Sequence, residues 1–153
     1  MNPLIKKNLR RWINWWPPLL GAGIRVTRFD EDWRAVDVEV VLRWWNRNYV
    51  GTQYGGSLYS MTDPFYMVML MENLGGGYVV WDKSATIRFR RPGRGKVRAE
   101  FRLSGEVIEE IRFAAEREGR AEREFVVEVK SETGEVIAEV KKLLHVRNKA
   151  AGV

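Results

Sequence analysis

The chain has 153 residues, 45% apolar and 30% charged, enough for one ordinary domain with a single core. No cysteine and one histidine are present, which excludes disulfides, cysteine zinc sites, thiol nucleophiles and multi-histidine metal centres. A serine triad would have to take its base from His145. With 26 basic against 20 acidic residues the net charge is +6, which favours anionic partners: the phosphates of a small ligand, nucleic acid or lipid.

Residues 1–17 read as an N-terminal helix. Asn2 can cap it, Pro3 suits its first position, and Ile5, Leu9, Trp12 and Trp16 share one face. Lys6, Lys7, Arg10 and Arg11 lie largely on the other face, and Pro17-Pro18 ends the helix. Such a helix could lie on an anionic membrane, or pack by its tryptophans against its own domain or a sister subunit; the second reading is favoured. Asn14 and the two prolines interrupt the apolar core that a signal peptide needs, so a cytoplasmic protein without a transmembrane segment is expected.

The core spans about residues 20–147. Ile24, Val26 and Phe29 precede the acidic turn Asp30-Glu31-Asp32, and Val36, Val38 and Val40 then alternate with Asp37 and Glu39, predicting an antiparallel hairpin. From Ser57 to Leu74 the chain is apolar almost all round, which predicts a helix buried on every side and stopped by Gly75-Gly76-Gly77. Tyr78–Arg90 and Val97–Leu103 are strands across Pro92-Gly93-Arg94-Gly95. Ser104 caps a surface helix with Val107, Ile108, Ile111 and Ala115 on its apolar face, and strands at Phe125–Val129 and Val136–Val146 close the chain. The expected class is α+β, a curved antiparallel sheet of five to six strands wrapped around a long central helix. Its open edges and second face invite a symmetric partner.

The segment Asn48-Tyr49-Val50-Gly51-Thr52-Gln53-Tyr54-Gly55-Gly56, followed by Asp63, resembles the active-site segment of hotdog-fold acyl-CoA thioesterases of the phenylacetyl-CoA thioesterase type. There an Asn precedes a His-Gly-Gly turn that opens the central helix, and an acidic residue stands nine positions after the His. Lys83-Ser84-Ala85-Thr86-Ile87-Arg88-Phe89-Arg90-Arg91-Pro92 is similar to the family's strand after the helix. The branch it resembles most is the one labelled tetrameric acyl-CoA thioesterase. Tyr54 stands where the better-studied enzymes have His. The resemblance implies a single hotdog domain over 1–153, a homodimer or tetramer, and no cofactor beyond the coenzyme A of the substrate. It also implies that Asp63 acts, as base or nucleophile, on a thioester held by the glycine turn of another protomer, with Asn48 orienting the water or the carbonyl.

The residues themselves admit two readings each. Gly55-Gly56 lets the backbone approach a ligand and leaves helix N–H groups free as an oxyanion hole, or it merely permits a tight corner. Asp63 in an apolar helix is costly to bury unless used, and desolvation would push it towards a general base. Alternatively it caps a helix restarting at Pro64, which would kink a continuous one. Asn48 could equally satisfy its own turn. Thr62 and Tyr54 are candidate supporting hydrogen bonders at the substrate. Lys83, Arg90, Arg91 and Arg94 could grip the phosphates of coenzyme A, or form a solvated sheet face or ion pairs with the Glu-rich helix 106–118. No RNA-binding signature occurs and that helix is acidic, so no nucleic-acid partner is expected. The leading expectation is hydrolysis of an acyl-CoA. The alternatives are a hotdog module that holds an acyl thioester or lipid without cleaving it, and a basic domain binding nucleic acid or a membrane surface.

Overall fold

The structure, a computed structural model, describes Leu9 and residues 11–151. Asn2, Pro3 and Ile5, on which the start of the first helix rests, lie outside the described residues. Leu9, Arg11 and Trp12 are helical, and the chain tightens into a 3-10 turn at Ile13–Trp15. Pro17 and Pro18 then open a second short helix, α1 (Pro17–Ala22), ended by Gly23 in the left-handed conformation. The break rotates the tryptophans away from the domain: Trp12 is 62% and Trp15 68% exposed, and Ile13 and Leu19 are the buried anchors instead. Of the two tryptophans of the expected apolar face, Trp12 is largely exposed and Trp16 is about half covered by the chain.

The strands are β1 (Ile24–Phe29), β2 (Ala35–Val41), β3 (Tyr78–Phe89), β4 (Lys96–Arg102), β5 (Arg120–Ser131) and β6 (Val136–Asn148). They form one antiparallel sheet in the order β1-β2-β4-β5-β6-β3, with β1 and β2 forming the expected hairpin, Ile24 opposite Val40. The apolar stretch is α2 (Gly55–Ser60) and α3 (Phe65–Leu74), separated by four residues. Across that break Thr62 and Asp63 donate to Tyr59 O and Ser60 O, three residues back, and Pro64 has no N–H to continue the ladder. A surface helix, α4 (Gly105–Glu118), follows β4. Its Ser104 cap accepts a hydrogen bond from Val107 N–H at 3.2 Å, as the sequence predicts.

The sheet curls around α2 and α3. Met61, Phe65, Met69 and Leu70 are fully buried in one core with Val36, Val38, Val40, Ala99, Phe101 and Val129 of the sheet. Phe101 is the centre of this core, 5.0 Å from the Phe65 ring and 5.2 Å from Tyr66, which stacks on Phe125 at 4.4 Å. Met67, Val68 and Met71 are only half-buried, so the helix is not covered on every side. This is the hotdog architecture, a sheet wrapped around a central helical segment. Among the described residues no helix is long and apolar enough to cross a membrane.

Candidate active site

The chain enters α2 through a turn built by Asn48. Its Oδ1 accepts from Thr52 N–H at 2.9 Å, and its Nδ2 donates to Thr52 Oγ1 at 2.8 Å and to Gln53 O at 3.3 Å. The Asn48 amide is thus spent on its own turn, the second of its two readings. Gln53, which sequence reasoning passed over, is buried and pins that turn to the β3–β4 connection: its N–H reaches Gly93 O at 2.9 Å and its Nε2 reaches Gly95 O at 2.9 Å.

The glycine pair follows. A Cβ on Gly55 would come within 3.0 Å of the Phe89 ring, and one on Gly56 within 2.4 Å of the Tyr54 ring. Both positions are therefore closed to a side chain unless those rings move. The first backbone bond of α2 is Leu58 N–H to Tyr54 O at 3.0 Å, which places the N–H groups of Gly55, Gly56 and Ser57 ahead of the ladder. Two cavities flank the turn. One, of about 380 Å³, is lined by Asn48, Gly55, Phe89, Arg90 and Arg91. The other, of about 450 Å³, is lined by Tyr54, Gly56, Ser60 and Trp45. Asn48, Gly55, Arg90 and Arg91 therefore come together, with Tyr54 and Gly56 on the opposite side of the corner.

Asp63 lines neither cavity. It sits in the break between α2 and α3 with its side chain 49% exposed, so the burial expected of it is missing. Pro64 is the N-cap of α3 and receives no side-chain hydrogen bond, so Asp63 is not the cap either. The partner of Asp63 is Lys142 of β6, whose ammonium is 3.2 Å from Asp63 Oδ1 and 2.9 Å from Asp82 Oδ2 and also donates to Asp63 O. The Lys142 side chain is fully buried. Tyr59 packs its ring 5.9 Å from the same ammonium. Burial first, and then its hydrogen bond and charge contact with Asp63, push the Tyr59 phenol up to about 12. Lys142 and Asp82 were missed in the sequence, although a signal existed: Ala138, Val140, Lys142, Leu144 and Val146 form one inward row of β6 by period two.

Thr62 is fully buried and donates to Tyr59 O at 2.7 Å, a bond that stabilises the end of α2. Three of the four predicted phosphate ligands are already paired: Lys83 with Glu122 at 2.6 Å, Arg90 with Glu139 at 3.6 Å and Arg91 with Glu135 at 2.8 Å. Their partners lie on β5, β6 and the connecting hairpin, not on α4. Arg94 is exposed in the β3–β4 turn. Glu122 also meets His145 Nδ1 at 3.1 Å, and Lys83 first and then His145 hold its carboxyl below the usual range. Among the described residues no group of three or more His, Asp or Glu side chains is placed to hold a metal ion.

Several solved structures share this architecture. A Pseudomonas aeruginosa protein of unknown function described as a probable thioesterase is 24% identical, with 97% of each chain covered and a TM-score of 0.81. A Haemophilus influenzae thioesterase is 16% identical over 93% of this chain and 90% of its own, with a TM-score of 0.66. The E. coli PaaI protein from the phenylacetic acid degradation operon is 17% identical over 91% of this chain and 90% of its own, with a TM-score of 0.63. At these identities the likeness is one of fold, and it is the fold expected from the sequence. No curated protein matches the sequence. Residues 6–146 match the family described as "Domain of unknown function (DUF4442)", and the chain belongs to that family.

Proposed function

We propose that this protein hydrolyses acyl-coenzyme A thioesters, with Asp63 as general base or nucleophile and the N–H groups of Gly55 and Gly56 as the oxyanion hole. The observation that carries the reading is the half-exposed Asp63 carboxylate, anchored by a buried ammonium at the end of a helix that opens on a glycine pair. The thioesterase descriptions of the structural neighbours support it.

Asp63 lies eight positions along the chain from Gly55, about 12 Å at the helical rise, too far for both to reach one carbonyl within a protomer. The reading therefore takes the turn from one protomer and the carboxylate from its partner. In the general-base route Asp63 accepts a proton from water as the hydroxyl oxygen adds to the thioester carbon. The carbonyl electron pair moves onto an oxygen bound by the glycine N–H groups. Collapse re-forms the carbonyl and expels the thiolate, which takes the proton back from Asp63. No cofactor beyond the coenzyme A of the substrate enters these steps, and the proposed setting is the cytoplasm.

Arg90, Arg91 and Arg94 serve the coenzyme A phosphates in this reading. The exposed pairs of Arg90 and Arg91 contribute only about 0–1 kcal/mol and exchange readily for a phosphate. Lys83, tied to Glu122 and set in the middle of β3, away from the turn that carries the arginines, is the weaker candidate.

A second reading is favoured by Tyr54 in the turn and by the fully engaged Asn48 amide: a hotdog that holds an acyl thioester without cleaving it. Thiol release from a panel of acyl-CoAs decides between them. Hydrolysis predicts turnover by the wild type and a loss of at least about a hundredfold in Asp63→Asn. Equal rates in both proteins would dismiss Asp63, and binding without release at any chain length would establish the second reading.

A further inference from the structure

We infer that Lys142 is a positioning residue for Asp63 and that Asp82 sets the strength of its hold, an inference that rests on the hydrolase reading above. Lys142 occupies an inward position of β6 between Val140 and Leu144, both fully buried, where an aliphatic side chain would be the ordinary occupant. An ammonium is costly there unless all its donors are met. They are met by three acceptors: Asp63 O, Asp63 Oδ1 and Asp82 Oδ2. Two of the three belong to Asp63.

The bond to Asp63 O fixes the backbone where no helix bond does. The ladder of α3 begins at Val68 N–H to Pro64 O, so Asp63 O falls just outside it. The bond to Oδ1 fixes the carboxylate, which also takes the hydrogen bond of the Tyr59 phenol and stays half-exposed. One cation thus holds a potential reactive group by main chain and side chain together.

The cation is shared. Asp82, on β3 beside the irregularity at Asp82/Ser84, takes the remaining donor, and its Oδ1 is buried without a hydrogen-bond partner. Two carboxylates therefore compete for one ammonium. Tyr59 of α2 is the other ionisable group against it, and its phenol, raised to about 12, is neutral near neutral pH and hydrogen-bonds to Asp63. The charges that bear on Asp63 are accordingly Lys142 and Asp82, with opposite signs.

The test is the pH–rate profile of thiol release for the wild type, Asp63→Asn, Lys142→Met and Asp82→Asn, each checked for native folding by near-UV circular dichroism. Lys142→Met is expected to lower kcat about tenfold or more with KM within about twofold, and to move the acid limb to higher pH. Asp82→Asn, which frees the ammonium for Asp63, is expected to move the acid limb to lower pH. Opposite displacements are what a merely structural lysine would not give. The inference is overturned if Asp63→Asn abolishes turnover while Asp82→Asn leaves the limb in place, or if both variants displace it the same way. Should Lys142→Met fail to fold, Asp82→Asn, which keeps the lysine paired with Asp63, decides alone. Full activity in Asp63→Asn would instead remove the hydrolase reading, and the positioning role with it.

Discussion

Tyr59 shares its surroundings with Asp63, Asp82 and the Lys142 ammonium, and its phenol is raised from an ordinary value near 10 to about 12. Since the folded state holds the proton more tightly than the unfolded one, this group's stabilisation is complete below about pH 10 and is lost as pH rises towards 12. Denaturant unfolding across that window is expected to show a steeper loss of stability for the wild type than for Tyr59→Phe. Equal slopes would show that the phenol is not held in this way. At the same scale, the two glycines differ in how tightly they are closed to a side chain. A Cβ on Gly55 would meet the Phe89 ring at 3.0 Å, a contact a small shift relieves, whereas one on Gly56 would meet the Tyr54 ring at 2.4 Å and force it to move.

Among the elements, α4 rests on its Ser104 cap and on Ile108, Ile111 and Ala115 against the sheet. Ser104→Ala should lower stability by about 1 kcal/mol through the lost bond to Val107 N–H, measurable as a shift in the urea midpoint with an unchanged slope. The core under the helical pair is far less forgiving. Phe101 touches Phe65 and Tyr66 and is fully buried, so Phe101→Ala should cost about 3–5 kcal/mol in the same measurement. The interruption at 61–64 has its own consequence: a continuous helix would give Asp63 O a backbone donor, and the break leaves that oxygen to Lys142.

For the whole molecule, β3 is an edge strand paired only with β6, and Trp81 and Phe89 along it are exposed. A long, partly apolar edge is unfavourable in an isolated sheet and is a natural place for a second copy to pair. The proposed chemistry also requires two copies, because the turn and the carboxylate are separated within one. Sedimentation should therefore return a dimer or tetramer, and salt that screens the surface ion pairs should leave the assembly intact. A single-chain mass across the working concentration range would deny the site its second half. Trp12 and Trp15 of the first segment, exposed over most of their surface, are then available to an assembly.

The sequence by itself determined the class and nearly every strand, because period-two alternation in β2, β4 and β6 and the apolar run between two glycine clusters are local signals. It also located the Asn48, Gly55-Gly56 and Asp63 segment, since spacing survives without coordinates. Only the tertiary structure decided what those residues touch. Asn48 closes its own turn, Thr62 bonds back into α2, and Lys83, Arg90 and Arg91 meet acids brought alongside by the β5 and β6 register. Lys142 is the sharpest case: period two already puts it in the inward row of β6, but it lies 79 residues from Asp63 in the chain, and only the folded sheet brings that row across the helix break. Periodicity reports which face a side chain occupies, and only the closing of the sheet around the helix determines which charge waits there.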